Sequence, residues 1–338
     1  MKKIKRVIFI ISLLVLPLIC IFLSLLLGRY PLDPITVFTI IFNEMGLTNQ
    51  GATDTASSIV LNIRLPRALL GALVGASLAV SGAAFQGVFR NPLVSSSILG
   101  VSPGAGFGAA LAILLFNNTS YMIYLFAFGF GILAVLLSYL IGRSYKTTPA
   151  IMLVLGGTII SSVFSSLISL VKYMADPSDQ LPQITFWLMG SLASASYQDI
   201  MIAGIPMVLG MAGLVAIRWR INILSMGDKE ARAMGVNTSF LKVVLISCAT
   251  LATAGAVCVS GIIGWVGLII PHISRMIVGN DNRFLIPATM SIGACYLVIV
   301  DNLSRILTGS EIPLGILTAI IGAPFFVYLL KRKVGGWL

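Results

Sequence analysis

The stretch VVLISCATLATAGAVCVSGIIGWVGLIIPHIS, residues Val243 to Ser274, runs for 32 residues between Lys242 and Arg275 without one formally charged side chain. As a single α-helix it would be about 48 Å long, against a hydrocarbon core of roughly 30 Å. Lys242 and Arg275 are both expected to stay in water, so one straight span cannot use the run. Gly261, Gly264 and Gly267 lie inside it, where a chain can break and turn back. The expected shape is out and back, with a short return helix. Broken helices persist in lipid only where protein neighbours or a water-filled path satisfy the freed backbone groups, so the stretch points to a conduction route.

The rest of the chain agrees. Its 338 residues are 58% apolar and 10% charged, with a mean hydropathy of +1.02, whereas soluble domains carry roughly 25% charged residues. The fold class is therefore all-α, a polytopic membrane protein. Uncharged stretches near the required ~20 residues lie at Val7 to Leu27, Ala68 to Phe89, Pro92 to Ile141 with a polar break at Asn117 to Ser120, and Thr147 to Val171. Others lie at Ile200 to Ile217, Val243 to Ser274, Phe284 to Val300 and Ile312 to Leu330. Splitting the third stretch and the Val243 run gives about ten transmembrane helices.

The net charge of +11 is distributed along the chain as a topology signal, not as a nucleic-acid patch. Placing Met1 inside leaves only Arg29, Arg64, Arg67, Lys172 and Arg305 of the 22 basic residues outside, which satisfies the positive-inside rule. Both basic ends then lie on the cytoplasmic side, which requires an even number of spans. The N-terminal apolar run is too long for a secretory signal and no small-x-small site follows it, so it reads as a retained first helix. Cys20, Cys248, Cys258 and Cys295 form neither a metal pattern nor a disulfide framework. A single membrane domain over residues 1–338 is expected. Ala79-Val-Ser-Gly82 stands ten residues before Pro92, and Cys258-Val-Ser-Gly261 ten before Pro271; this echo suggests an inverted repeat of the kind transporters use.

Several motifs follow one another in order. They are Arg64-Leu-Pro-Arg67, Gly75-Ala-Ser-Leu-Ala-Val-Ser-Gly-Ala83, Gln86, Arg90-Asn-Pro-Leu93, Leu99-Gly100 and Trp187-Leu-Met-Gly-Ser-Leu192. Next come Met226-Gly227 to Ala233-Met-Gly-Val236, Gly267-Leu-Ile-Ile-Pro-His272, Arg275, Asp281-Asn-Arg283, Asp301 with Arg305, Glu311-Ile-Pro-Leu-Gly315 and Gly322-Ala-Pro324. In this order and spacing the chain resembles the permease subunit of bacterial ABC importers for iron-siderophore, haem and vitamin B12, the FecCD or BtuC-like permeases of type II importers. The resemblance implies the BtuC-like ten-helix permease fold in the bacterial cell membrane, with both termini cytoplasmic. It implies two cytoplasmic ABC ATPase subunits, a second permease copy or related permease, an extracytoplasmic substrate-binding protein and surrounding membrane lipid as partners, and no nucleic acid.

The resemblance also assigns residues. Arg64, Arg67 and Arg305 stand at the outer mouth against the positive-inside rule and would dock acidic residues of the binding protein; the alternative is head-group anchoring, or pairing with Asp54, Asp301 or Glu311. The inner segment 222–237 reads as a short amphipathic helix, and Met226, Gly227, Glu230, Ala231, Arg232 and Gly235 would seat it in the ATPase; the alternative is a helix lying flat on the membrane. No Gly-x4-Gly-Lys-Ser/Thr loop occurs in the chain, so ATP and its Mg2+ belong to the partner ATPase and the chain itself binds no cofactor. Thr147 and Thr148 match the inner narrowing of similar permeases, although a helix cap explains them equally. Ser161, Ser165 and Ser169, with Ser162 and Ser166, give the fifth span a hydroxyl-rich face that lines a pathway or glues helices. Pro92, Pro271 and the sole histidine, His272, read as structural.

No span centre carries Asp, Glu, Lys or Arg, which removes the usual machinery of ion coupling. The favoured reading is an importer permease for ferric siderophores, not an enzyme; haem or cobalamin are alternative cargoes, and an ATP-independent secondary transporter is the competing class. An intramembrane enzyme lacks a catalytic set, with one His and no paired intramembrane carboxylates.

Overall fold

The computed structural model describes residues 3–44, 46–47, 53–116, 119–143 and 149–331, and among them all regular structure is helical. The ten expected spans appear as α1 (Lys3–Leu26), α4 (Leu65–Phe89), α5 (Val101–Phe116), α6 (Ser120–Gly142), α7 (Ala150–Met174), α9 (Tyr197–Met226), α11 (Thr238–Ser260), α12 (Val266–Val278), α13 (Asn282–Ile306) and α14 (Leu314–Lys331). Four short helices join them: α2 (Pro34–Glu44), α3 (Asp54–Ser58), α8 (Gln180–Met189) and α10 (Asp228–Ala233). Among the described residues six helices are long and apolar enough to cross a membrane alone, and α1, α2, α5, α12 and α14 contribute shorter apolar stretches.

The Val243 run breaks where its glycines predict. α11 ends at Ser260, residues 261–265 are irregular, and α12 is only 13 residues long. Gly261 has φ +67, and a Cβ there would collide with the Trp187 carbonyl; only glycine meets both demands. Ser81 of α4 bonds Ala249 of α11, while Gly82 lies against Gly267 at the start of α12 and Gln86 contacts Arg275 farther on. α12 therefore starts part-way along α4 and runs with it toward the Arg90 end, the expected return.

α4 is the central helix. Its spanning window is 83% buried, against 67% for α11 and α13 and about a third or less for α6, α7 and α9. The cause is its row of small residues, since lipid offers helices no hydrophobic drive and backbones must come close to attract. A Cβ on Gly75 would overlap the Gly293 carbonyl of α13, and Gly293 in turn packs on Ala79. α13 runs antiparallel to α4 and parallel to α1, with Phe9 against Phe284 (centroids 6.0 Å) and Ser24 against Asn302. Thus α1, α4 and α13 bring their ends together at one face, called here the Arg67 face; the opposite one is the Arg90 face.

Three expectations need correction. Ala79–Gly82 lies mid-helix in α4 whereas Cys258–Gly261 closes α11, and Pro92 lies in a link whereas Pro271 lies inside α12; the echo at that offset joins unlike elements. Lys242 is not in water but 3% exposed, because Asp228 pairs with it. The inner segment is not one helix over 222–237: α9 continues to Met226, burying Leu224, and α10 covers only six residues.

Candidate functional site

At the Arg67 face the sequence builds a buried ion network. α4 is entered through a π-helical stretch, Ile59–Arg64, in which the Leu65 N–H bonds the Val60 carbonyl, with Pro66 following near the α-helix start. This entry directs Arg64 and Arg67 to different neighbours. Arg64 Nη1 and Nη2 donate to the carbonyls of Leu25 (2.7 Å) and Tyr30 (2.5 Å), closing the end of α1 over its guanidinium. Arg67 makes a double fork. Nε and Nη2 bond Asp301 at 2.9–3.0 Å, while Nη1 and Nη2 bond Glu311 at 2.8 and 2.9 Å. Arg305 stands one turn after Asp301, 3.4 Å from its Oδ2, and also donates to Ser24 and Asn302. The Arg67 and Arg305 guanidiniums thus face two carboxylates, while the Arg64 guanidinium is held by carbonyls.

The three arginines are 3%, 4% and 7% exposed, which corrects their expected docking role. To meet a partner's carboxylate Arg67 would first have to break its buried pairs with Asp301 and Glu311, Arg305 would have to leave Asp301, and Arg64 would have to give up the carbonyls of Leu25 and Tyr30. The pairing alternative with Asp301 and Glu311 is the one observed; Asp54 has no part in it. What faces outward is Glu311, whose side chain is 32% exposed, and Arg29, which bonds the carbonyls of Arg305 and Thr308 from the surface. Burial raises the Glu311 carboxyl, but the Arg67 guanidinium outweighs this and holds it below the ordinary value. The signal available in the sequence was the i, i+4 spacing of Asp301 and Arg305.

A second constellation joins α4 to α12. Pro271 has no N–H, so the Gly267 carbonyl one turn earlier loses its helical donor. Gln86 Nε2 reaches that carbonyl and Leu268's at 3.4 Å each, and Val94's at 3.0 Å. Its Oε1 accepts from Arg275 Nη1 at 2.6 Å. Gln86 thereby repairs the defect that Pro271 makes. His272 is half-buried on the same helix, and Pro92 lies in the link Gln86 braces.

At the Arg90 face α10 is flanked by Gly227 (φ +133) and Gly235 (φ +77). Ala231 is fully buried and Gly227 buried, while Met226, Glu230, Arg232 and Gly235 are exposed. These six residues lie on and around α10 at the Arg90 face. Along α7, the hydroxyls of Thr158, Ser162, Ser166 and Ser169 each donate to the carbonyl four residues earlier and are exposed. Ser165 is exposed as well, but Ser161 turns inward toward Gly100. Thr147 and Thr148 lie outside the described residues. Among the described residues no group of three or more His, Cys, Asp or Glu could hold a metal.

With this geometry in hand, comparison with known proteins is decisive, because the sequence profile of the FecCD transport family matches residues 14–332. The chain belongs to that family. The FecCD chain is 42% identical over 315 residues to the molybdate import system permease MolB of Haemophilus influenzae, covering 92% of each. It is 40% identical over 283 residues to an iron chelatin transport system permease of Helicobacter pylori, covering 83% of this chain and 85% of the other. It is also 40% identical over 283 residues to the cobalamin import permease BtuC of Halobacterium salinarum, covering 84% and 76%. A solved inward-facing metal-chelate-type ABC transporter superposes with a TM-score of 0.85 at 40% identity, over 95% of this chain and 98% of that one. The protein is a multi-pass ABC importer permease, a transporter subunit.

Proposed function

We propose that this permease forms one half of the pathway of an ATP-driven importer for ferric siderophores. The observation that carries the cargo reading is α7: its exposed face presents five neutral hydroxyls, and the only formal charge in Ala150–Met174 is Lys172 in its last turn. A weakly interacting, uncharged lining suits a bulky solute already chelated, whereas a bare ion would need fixed charge or a ligand cluster. The iron chelatin permeases among the relatives support the same class. An exposed hydroxyl face in a membrane helix also calls for a cover other than lipid, which a second permease copy or a related permease supplies.

The α10 segment seats in a cytoplasmic ATPase, one for each permease half, with Met226, Glu230 and Arg232 presented and Ala231 anchoring the helix to the bundle. The positive-inside distribution supports a cytoplasmic Arg90 face and cytoplasmic ends. On the other side an extracytoplasmic binding protein delivers cargo to the Arg67 face, meeting Arg29 and the rim around Glu311. The buried arginines hold that rim in shape, so Arg305→Glu reports on folding before docking. A second reading, molybdate, is favoured by the 42% identity with MolB. The test is uptake of radio-iron as a panel of ferric siderophores, with haem, cobalamin and radio-molybdate alongside, in cells with and without the chain. Loss of one ferric-siderophore signal is expected; loss of molybdate uptake alone would replace the cargo.

A further inference from the structure

The short helix α10 is fastened to α11 by charge. Lys242 Nζ stands 2.6 Å from Asp228 Oδ2, with the lysine side chain 4% exposed and the aspartate's 40%. A buried ammonium is costly unless paired, so this contact fixes where α10 sits. Arg232 Nε adds a bond to Thr238 Oγ1 at 3.3 Å. On its other side α10 faces a cleft of about 530 Å³ bounded by Arg90, Asn91, Pro149 and Ile151, with Asp228 and Lys242 on its wall. Among the described residues α10 rests on α9 and α11.

α11 then runs unbroken from Thr238 to Ser260, about 33 Å along its axis. Its far end grips the α8–α9 link. The Ser191 N–H bonds the Ser260 carbonyl at 2.8 Å, and Gly261 is pressed against Gly190, where a Cβ would come within 3.0 Å. The Leu314 N–H bonds the Gly190 carbonyl at 2.9 Å, bringing the start of α14 to the same point. A rigid helix with a charge joint at one end and a backbone joint at the other is the kind of packed element that carries coupling between distant sites.

We infer that the Asp228–Lys242 pair is the joint through which movement of α10 enters α11 and reaches the α8–α9 link at the opposite face. This rests on the reading of α10 as the ATPase seat, and it makes Asp228 and Lys242 positioning residues for transport. The test is hydrogen-exchange mass spectrometry of residues 187–196 in the permease with its co-purified ATPase in nanodiscs, with and without ATP plus vanadate. In the unaltered complex, trapping changes exchange across this segment. Lys242→Met, which keeps the apolar stem, traps nucleotide and keeps its thermal midpoint but loses the exchange response, and Lys242→Arg retains it. The double variant Asp228→Asn/Lys242→Leu, which leaves no buried charge unpaired, shows the same loss and serves if the methionine variant does not fold. A Lys242→Met complex that responds like the unaltered one overturns the inference, as does a folded one that no longer traps nucleotide, since the pair would then belong to the seat itself. Failure of the unaltered complex to trap nucleotide overturns the importer reading, and the inference with it.

Discussion

Asp301 should be the most costly single charge to remove from this chain. Its carboxylate is 3% exposed and lies between Arg67 and Arg305; Asp301→Asn keeps the shape but leaves two buried guanidiniums to share Glu311. Breaking a buried pair by neutralising one member costs about 3–5 kcal/mol. Glu311→Gln, at a side chain 32% exposed, should cost about 1 kcal/mol or less, because solvent screens the lost charge. For 338 residues an unfolding entropy of roughly 2.1 cal/mol/K per residue gives about 0.7 kcal/mol/K, so 4 kcal/mol corresponds to about 6 °C. Thermal unfolding in detergent, followed by a thiol-reactive fluorophore that labels the buried Cys258 and Cys295, reads this directly. Equal shifts for the two variants, or no shift for Asp301→Asn, would refute a network organised around Asp301.

Gln86→Leu should lower the thermal midpoint by the cost of one or two unpaired buried groups, about 1–3 kcal/mol each, because the Gly267 carbonyl freed by Pro271 loses its donor; a midpoint within 1 °C of the parent contradicts that role. Gly82→Ala drives a Cβ into the Gly267 carbonyl and should abolish the folded fraction by size-exclusion chromatography, whereas Gly129→Ala in α6 meets no atom within 4 Å and should be neutral or stabilising by up to about 1 kcal/mol. Asp281 caps α13 and is drawn down to about 2, chiefly by Arg283, from the ordinary 3.8. A depressed carboxylate stabilises above its unfolded value and loses that as pH falls through its folded value, so the parent's midpoint should drop between about pH 4 and pH 2. Asp281→Ala should lose the cap, about 1 kcal/mol, and flatten that drop; an unchanged profile would count against it.

The spans were legible because lipid punishes charge, so uncharged runs and basic flanks mark them with little ambiguity. The split of Val243 to Ser274 followed from its length and its internal glycines, and it holds although Lys242 is buried. What escaped was whatever depends on who meets whom. Pro34–Glu44 is helical and apolar, but at 11 residues it is too short to register as a span between the uncharged stretches. α8 carries the Trp187 motif, but its ten residues are too few for a helical period to show. The outward arginines looked available because the sequence shows their side of the membrane and not their partners: Arg67 and Asp301 are 234 positions apart. The same holds for Gln86 and Arg275, 189 apart, and for the burial of Lys242. Ser161 differs from Ser165 because Gly100 leaves room for its hydroxyl, a fact of packing that spacing along one helix cannot supply.

The most direct test of an ATP-driven permease is radio-iron uptake from the ferric siderophore identified in the panel, in cells depleted of ATP while the membrane potential is maintained by respiration. The account predicts that uptake stops with ATP loss and is absent without this chain. Chain-dependent uptake that continues without ATP would contradict it and place the protein among transporters driven by ion gradients.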